Sequence, residues 1–150
     1  MSLITRSNCV DIVEENIKVY KYVRIIDGNY HSEFNGFCYK QGVIYETKLK
    51  TSELSLFSSI EMFDEVVIKK YIPDGIKQGS IELQEYIMNN YKCINEGFHS
   101  SFSKERLKNR LKDILKLRKD FEIREFIIPR GSEYYKDETG LLVSNRILWK

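Results

Sequence analysis

A chain of 150 residues, 42% hydrophobic and 31% charged, can bury a core without disulfide or metal staples, and its composition excludes a disordered segment. No apolar run reaches bilayer length, and the amino terminus lacks the basic start and long apolar stretch of a secretion signal. Cys9, Cys38 and Cys93 are odd in number and far apart, which argues against a disulfide framework and for a reducing cytoplasm. Net charge is only +2, so any strong electrostatic partner must be met locally.

Residues 17–26 are rich in β-branched and aromatic types and read as a strand. Asp27-Gly28-Asn29 is a turn signal, and the chain returns through 30–39 with an interruption at Asn35-Gly36. Gln41-Gly42 marks the next turn, before a short strand at 43–46. Ser52 is expected to cap a short helix through Leu54, Leu56, Phe57 and Ile60. Residues 65–72 read as a strand ended by Pro73-Asp74-Gly75. Ser80 is expected to cap a helix through Ile81, Leu83 and Ile87.

The clearest helix spans 104–118. Leu107, Leu111, Ile114 and Leu115 predict one apolar stripe against the core, and Ser103 is its natural N-cap. A strand at 122–128 ends at Pro129-Arg130-Gly131, and a last strand at 141–148 follows a turn at 137–140. Ten Tyr, eight Phe and one Trp favour a sheet-containing core. The expected class is α+β: a single compact domain over 1–150, mostly antiparallel sheet with about three helices.

Charge is concentrated. Lys104, Arg106, Lys108, Arg110, Lys112, Lys116, Arg118 and Lys119 face only Glu105 and Asp113 in their segment, a surplus of six. Residues 51–96 carry eight acids against Lys69, Lys70, Lys77 and Lys92. The helix at 104–119 therefore forms a basic ridge, which reads as a solvated face, a surface for an acidic protein, or a phosphate-binding surface. The last reading would show strong salt dependence, but the segment lacks aromatics to stack on single-stranded bases.

The start of that helix is a candidate anion site. Backbone N–H groups there carry partial positive charge, Ser100, Ser101 and Ser103 add hydroxyls, and Lys104 and Arg106 add full charge. The plain alternative is a capped helix start with solvated serines. His99 is a candidate general base or a structural histidine. Zinc would need His31, Cys38, Cys93 and His99 to converge, and their spacings do not match the tight pairs of structural sites; no metal is expected. Glu125 shares a strand face with Ile123 and Ile127, an unusual place for an unpaired acid.

Several motifs carry a resemblance. Tyr20–Arg24, Gly36–Tyr39, Gly42–Tyr45, the Cys93 to His99 segment ending in Gly97-Phe98-His99, IPRGSEYY at 128–135 and Val143-Ser144-Asn145 with Ile147 together resemble a family of small proteins of bacteriophages and bacterial mobile elements. The resemblance implies an accessory protein of the bacterial host cytoplasm. It would engage a host protein or an anionic small ligand without turnover, with no cofactor, in a role such as counter-defence. A second resemblance is to ADP-ribosyltransferases of the Arg–Ser–Glu kind, carried by Arg24, by Ser100 and Ser101 after Gly97-Phe98, and by Glu125 before Pro129. It implies NAD as cofactor, with Arg24 on its phosphates, Ser100 or Ser101 shaping the pocket and Glu125 at the reacting ribose. Ile123 stands where many such enzymes carry Glu or Gln. A nucleic-acid binder working through 104–119 is the remaining class.

Overall fold

The computed structural model describes residues 3–5, 10–32, 37–52, 81–90, 92–137 and 140–150. The chain begins with β1 (Leu3–Thr5) and β2 (Asp11–Ile12), followed by the long β3 (Ile17–Ile26). Next come β4 (Asn29–His31), β5 (Cys38–Tyr39), β6 (Ile44–Glu46) and β7 (Lys50–Ser52). Helix α1 (Ile81–Asn90) leads into β8 (Lys92–Glu96) and β9 (Phe98–Ser101). Helices α2 (Lys104–Arg110) and α3 (Lys112–Leu117) precede β10 (Phe121–Ile128), β11 (Glu133–Lys136), β12 (Leu141–Ser144) and β13 (Arg146–Leu148).

The architecture is α+β and mostly antiparallel. The large sheet runs β2-β11-β12-β9-β3-β10-β13-β6, with β4 and β5 branching from β3, and a smaller sheet runs β1-β8-β7. β3 is the hinge of this order. One edge pairs with β10 along its full length, from Phe121 opposite Arg24 to Ile128 opposite Ile17. Its other edge is divided between β9, at Tyr20 and Ser101, and β4, from Arg24 to Ile26.

Directly opposed residues share a face, so the β3–β10 register sorts side chains into two sets. Tyr22, Phe121 and Ile123 lie on one face, where Leu107 and Leu111 from the helices, Ile94 from β8 and Val143 from β12 close a core. Tyr22 and Phe121 stack with ring centroids 4.5 Å apart. Val19, Val23, Phe126 and Ile128 lie on the opposite face with Val13, Tyr39, Leu142 and Ile147. Phe126 is edge-on to Tyr39 at 5.1 Å and tilted against Tyr30 at 6.2 Å, and Tyr30 in turn stacks on Trp149 at 4.0 Å. The two faces are therefore helix-covered and aromatic respectively.

Several expectations need amendment. The run at 104–118 is two helical segments, because Leu111 leaves helical geometry at φ −101 and ψ 11, although Leu111 and Leu115 still donate to the carbonyls of Leu107 and Leu111. Leu107 and Leu111 are buried and Leu115 packs at the edge, but Ile114 points outward, 39% exposed. The strand expected at 141–148 breaks at Asn145, where the chain changes neighbours: β12 pairs with β9 and β11, β13 with β10 and β6. Ser52 ends a strand opposite Cys93; the helix it was expected to cap, the strand at 65–72, Pro73-Asp74-Gly75, Ser80 and Asn35-Gly36 lie outside the described residues. The described helices form two regions, α1 and the α2–α3 pair; of about three expected, the one at 54–60 falls outside them.

Phe126 is fully buried and held by aromatic neighbours with little freedom to collapse into a void. Phe126→Ala is expected to cost about 3–5 kcal/mol, measured as a lower urea midpoint with an unchanged slope.

Candidate functional site

The residues suggested by the transferase resemblance do not meet. Arg24 sits opposite Phe121 and Glu125 opposite Tyr20, four ladder positions apart, or about 13 Å along the strand. Each is engaged where it stands. The Arg24 Nε donates to Asp120 Oδ2 at 2.8 Å, and Glu125 accepts an ion pair from Lys18 at 3.2 Å. Glu125 is exposed, so the acid between Ile123 and Ile127 is not buried, and its carboxylate raises the Lys18 ammonium above its ordinary pKa. Ser100 is opposite Leu142, hence on the aromatic face, while Ser101, opposite Tyr20, shares the helix-covered face with Arg24 and Glu125.

The serines before the helix have separate duties. Ser103 Oγ accepts from the Arg106 N–H at 3.2 Å as the N-cap, satisfying one orphan donor of the first turn. Ser101 is buried, its Oγ donating to the Ser103 carbonyl at 3.1 Å and accepting from the Ser103 N–H at 3.2 Å. Ser100 is buried with its Oγ lacking a hydrogen-bond partner. Lys104 and Arg106 are exposed on α2. The hydroxyls thus fix the path of the chain into the helix and do not converge on one point.

His99 stands opposite Val143 on β9, its Nε2 buried without a hydrogen-bond partner. Burial, assisted by the charge of Lys21, lowers its pKa to about 4. Lys21 is itself 7% exposed and donates its Nζ to the His99 carbonyl at 2.5 Å. An imidazole so enclosed is neutral at pH 7, and its unpartnered Nε2 is buried away from any substrate proton. His31 and Cys38 oppose each other across β4 and β5, whereas Cys93 and His99 lie on β8 and β9. Among the described residues no group of three or more His, Cys, Asp or Glu could hold a metal ion.

The motif residues are places where the chain turns. Gly97 joins the small sheet to the large one at φ +140, and a Cβ there would lie 2.3 Å from Val143 Cγ1 and 2.7 Å from Leu49 Cδ2. The Pro129–Ser132 turn is tied to the chain before β3. Arg130 N donates to Asn16 Oδ1 at 2.8 Å, Gly131 N to the Val13 carbonyl, and the buried Ser132 Oγ to the Pro129 carbonyl at 2.6 Å. At the β12–β13 corner, Asn145 Oδ1 accepts from Glu133 N, and Ser144 Oγ donates to the Arg146 carbonyl.

The basic ridge remains open. All eight of its cations are exposed. Arg118 covers the Phe121 ring at 4.4 Å. Lys104 and Lys108 lie four residues apart on α2 and Lys112 and Lys116 four apart on α3, each pair with Cβ atoms about 5–6 Å apart. None of these lysines enters an ion pair among the described residues. Each like-charged pair costs about 0.2–0.5 kcal/mol, with no compensating burial. The four-residue spacing was legible within the basic segment, but its division between two helical segments was not. Beyond the lysines, Leu117 is 84% exposed and Ile114 lies one turn back.

Comparison with protein-family models, curated proteins and solved structures returns no match. No helix among the described residues is long and apolar enough to cross a membrane.

The His99 environment has a pH consequence. The unfolded chain binds a proton on this imidazole near the ordinary 6.5, the folded chain only near 4. Its contribution is complete above pH 6.5 and is lost as pH falls from 6.5 towards 4, by about 1–3 kcal/mol. Urea midpoints at the two ends of that window should show this loss, and His99→Gln should reduce it.

Proposed function

We propose that the chain is a small single-domain accessory protein of the phage and mobile-element type, acting by binding a host protein without turnover. Its working surface is the ridge at 104–119, and the partner face is acidic. The carrying observation is the two lysine pairs, Lys104 with Lys108 and Lys112 with Lys116, exposed and outside every ion pair among the described residues. Self-repelling pairs weaken their helices unless opposite charge is brought to them.

The alternatives draw less support. NAD chemistry needs Arg24, a serine and Glu125 around one ligand; Ser100 is on the other face, Ser101 is bonded to the Ser103 backbone, and Arg24 and Glu125 are held four ladder positions apart by Asp120 and Lys18. An anionic small ligand at the helix start would compete with the cap and turn bonds already made by Ser101 and Ser103. A nucleic acid would find phosphate contacts on the ridge but no aromatic platform within 104–119. Counter-defence, in the host cytoplasm, is the role this type of protein would serve.

Polyglutamate is a direct probe of the acidic-partner reading. It should bind at low salt and weaken steeply towards 0.5 M, where the Debye length is only about 4–5 Å. Replacing Lys108, Lys112 and Lys116 together by Gln should lower its affinity by about tenfold or more while leaving the circular dichroism spectrum unchanged. Millimolar NAD binding that is abolished by Arg24→Ala would contradict the proposal in favour of the transferase.

A further inference from the structure

The sheet face turned away from the helices carries a polar row across three adjacent strands. Arg124 on β10 stands directly opposite Lys21 on β3. The antiparallel register that sets Tyr20 opposite Ser101 brings Ser100 on β9 beside Lys21 on its other edge. Like charges directly opposed across a strand pair are destabilising, and Ser100 Oγ is buried without a hydrogen-bond partner. An apolar side chain at 21 and an alanine at 100 would spare both costs. We infer that Arg124, Lys21 and Ser100 form a binding site for the carboxylate of a small aromatic acid.

Exposure falls along the row, from 44% for the Arg124 side chain to 7% at Lys21 and 4% at Ser100. The row therefore leads from solvent inward. The Lys21 ammonium donates to the His99 carbonyl, which holds its charge beside Ser100. The Arg124 guanidinium pairs with Glu122 and lies 5.7 Å from the centroid of the Tyr30 ring, while Lys21 Nζ lies 5.9 Å from that of Tyr39. With strands about 4.8 Å apart, Ser100 and Arg124 are separated by about 10 Å across β3, a gap that a long arginine side chain and a carboxylate span together. One carboxylate oxygen would accept from the Ser100 hydroxyl and the other from the guanidinium, with the Lys21 charge between them. A phosphate, carrying up to two charges, would lose more hydration among Val19, Val23 and Phe126. The same side chains and the rings of Tyr30 and Tyr39 suit the flat apolar body of an aromatic acid. Ser100 keeps its backbone place in the sheet throughout. The ridge packs over Tyr22 and Phe121 on the other face, so this site neither rests on the acidic-partner reading nor competes with it.

Benzoate and its neutral isostere benzamide are the probes. Isothermal titration should show benzoate binding about tenfold more tightly than benzamide, with amide shifts at Lys21, Ser100 and Arg124. Arg124→Gln should lower benzoate affinity about tenfold and Ser100→Ala several-fold, each with an unchanged circular dichroism spectrum. The combined Lys108→Gln, Lys112→Gln and Lys116→Gln protein should bind benzoate as the original does. Equal affinity for benzoate and benzamide overturns the inference, as does the absence of benzoate binding at millimolar concentration. Benzoate affinity retained by both Arg124→Gln and Ser100→Ala also overturns it and leaves the hydroxyl to a trapped water. Tighter binding of inorganic phosphate than of benzoate, with shifts at the same three residues, overturns the carboxylate assignment.

Discussion

The pairing of β3 with β10 is the constraint on which the rest of the structure depends. Its register places aromatic and aliphatic side chains on both faces, and a one-residue slip would exchange the two sets. Because both faces are apolar, both must be covered. The α2–α3 pair covers one through Leu107 and Leu111, while Tyr39, Ile147 and their neighbours cover the other. Lys21 enters the aromatic face by the same alternation, and its ammonium is satisfied by the His99 carbonyl. The ridge is a consequence of this arrangement: a helix that gives two leucines to the sheet must turn its cations outward.

The motif residues serve this architecture. Gly97 stands where one sheet hands the chain to the other and no side chain fits. The Pro129–Ser132 turn binds the end of β10 to residues 13–16. Asn145 divides residues 141–148 into two strands that serve two different pairs of neighbours. These positions set the path of the chain.

Much of this was legible in the sequence, and the exceptions have physical reasons. β3, β10 and the cap at Ser103 follow from strong local signals: a β-branched and aromatic run, a proline stop and a hydroxyl before a helical stripe. Strands β1, β2, β7 and β11 are only two to four residues long and acquire their order from neighbours, so no local pattern announces them. β8 and β9 were hidden within a segment whose serines suggested a loop. Ile114 joined the apolar stripe on paper and left it in the structure because Leu111 interrupts the helix. For the candidate site, Arg24 and Glu125 lie on strands as expected, whereas Ser100 lies on β9 and not in the helix start where it was expected. Their separation depends on strand register and face, which spacing along the chain cannot supply. The surplus of charge on the ridge was plain, whereas its division between two helical segments at Leu111 was not.

The central claim is that binding falls to the outer face of the helix pair while the strand residues Arg24, Ser100 and Glu125 maintain the sheet. Amide chemical shifts of the labelled protein, followed through a titration with a glutamate-rich peptide, test it most directly. The account predicts changes concentrated at Lys104, Lys108, Lys112, Lys116 and Leu117, with Arg24, Ser100 and Glu125 unmoved. Changes centred on Arg24 and Glu125, with the ridge silent, would contradict it.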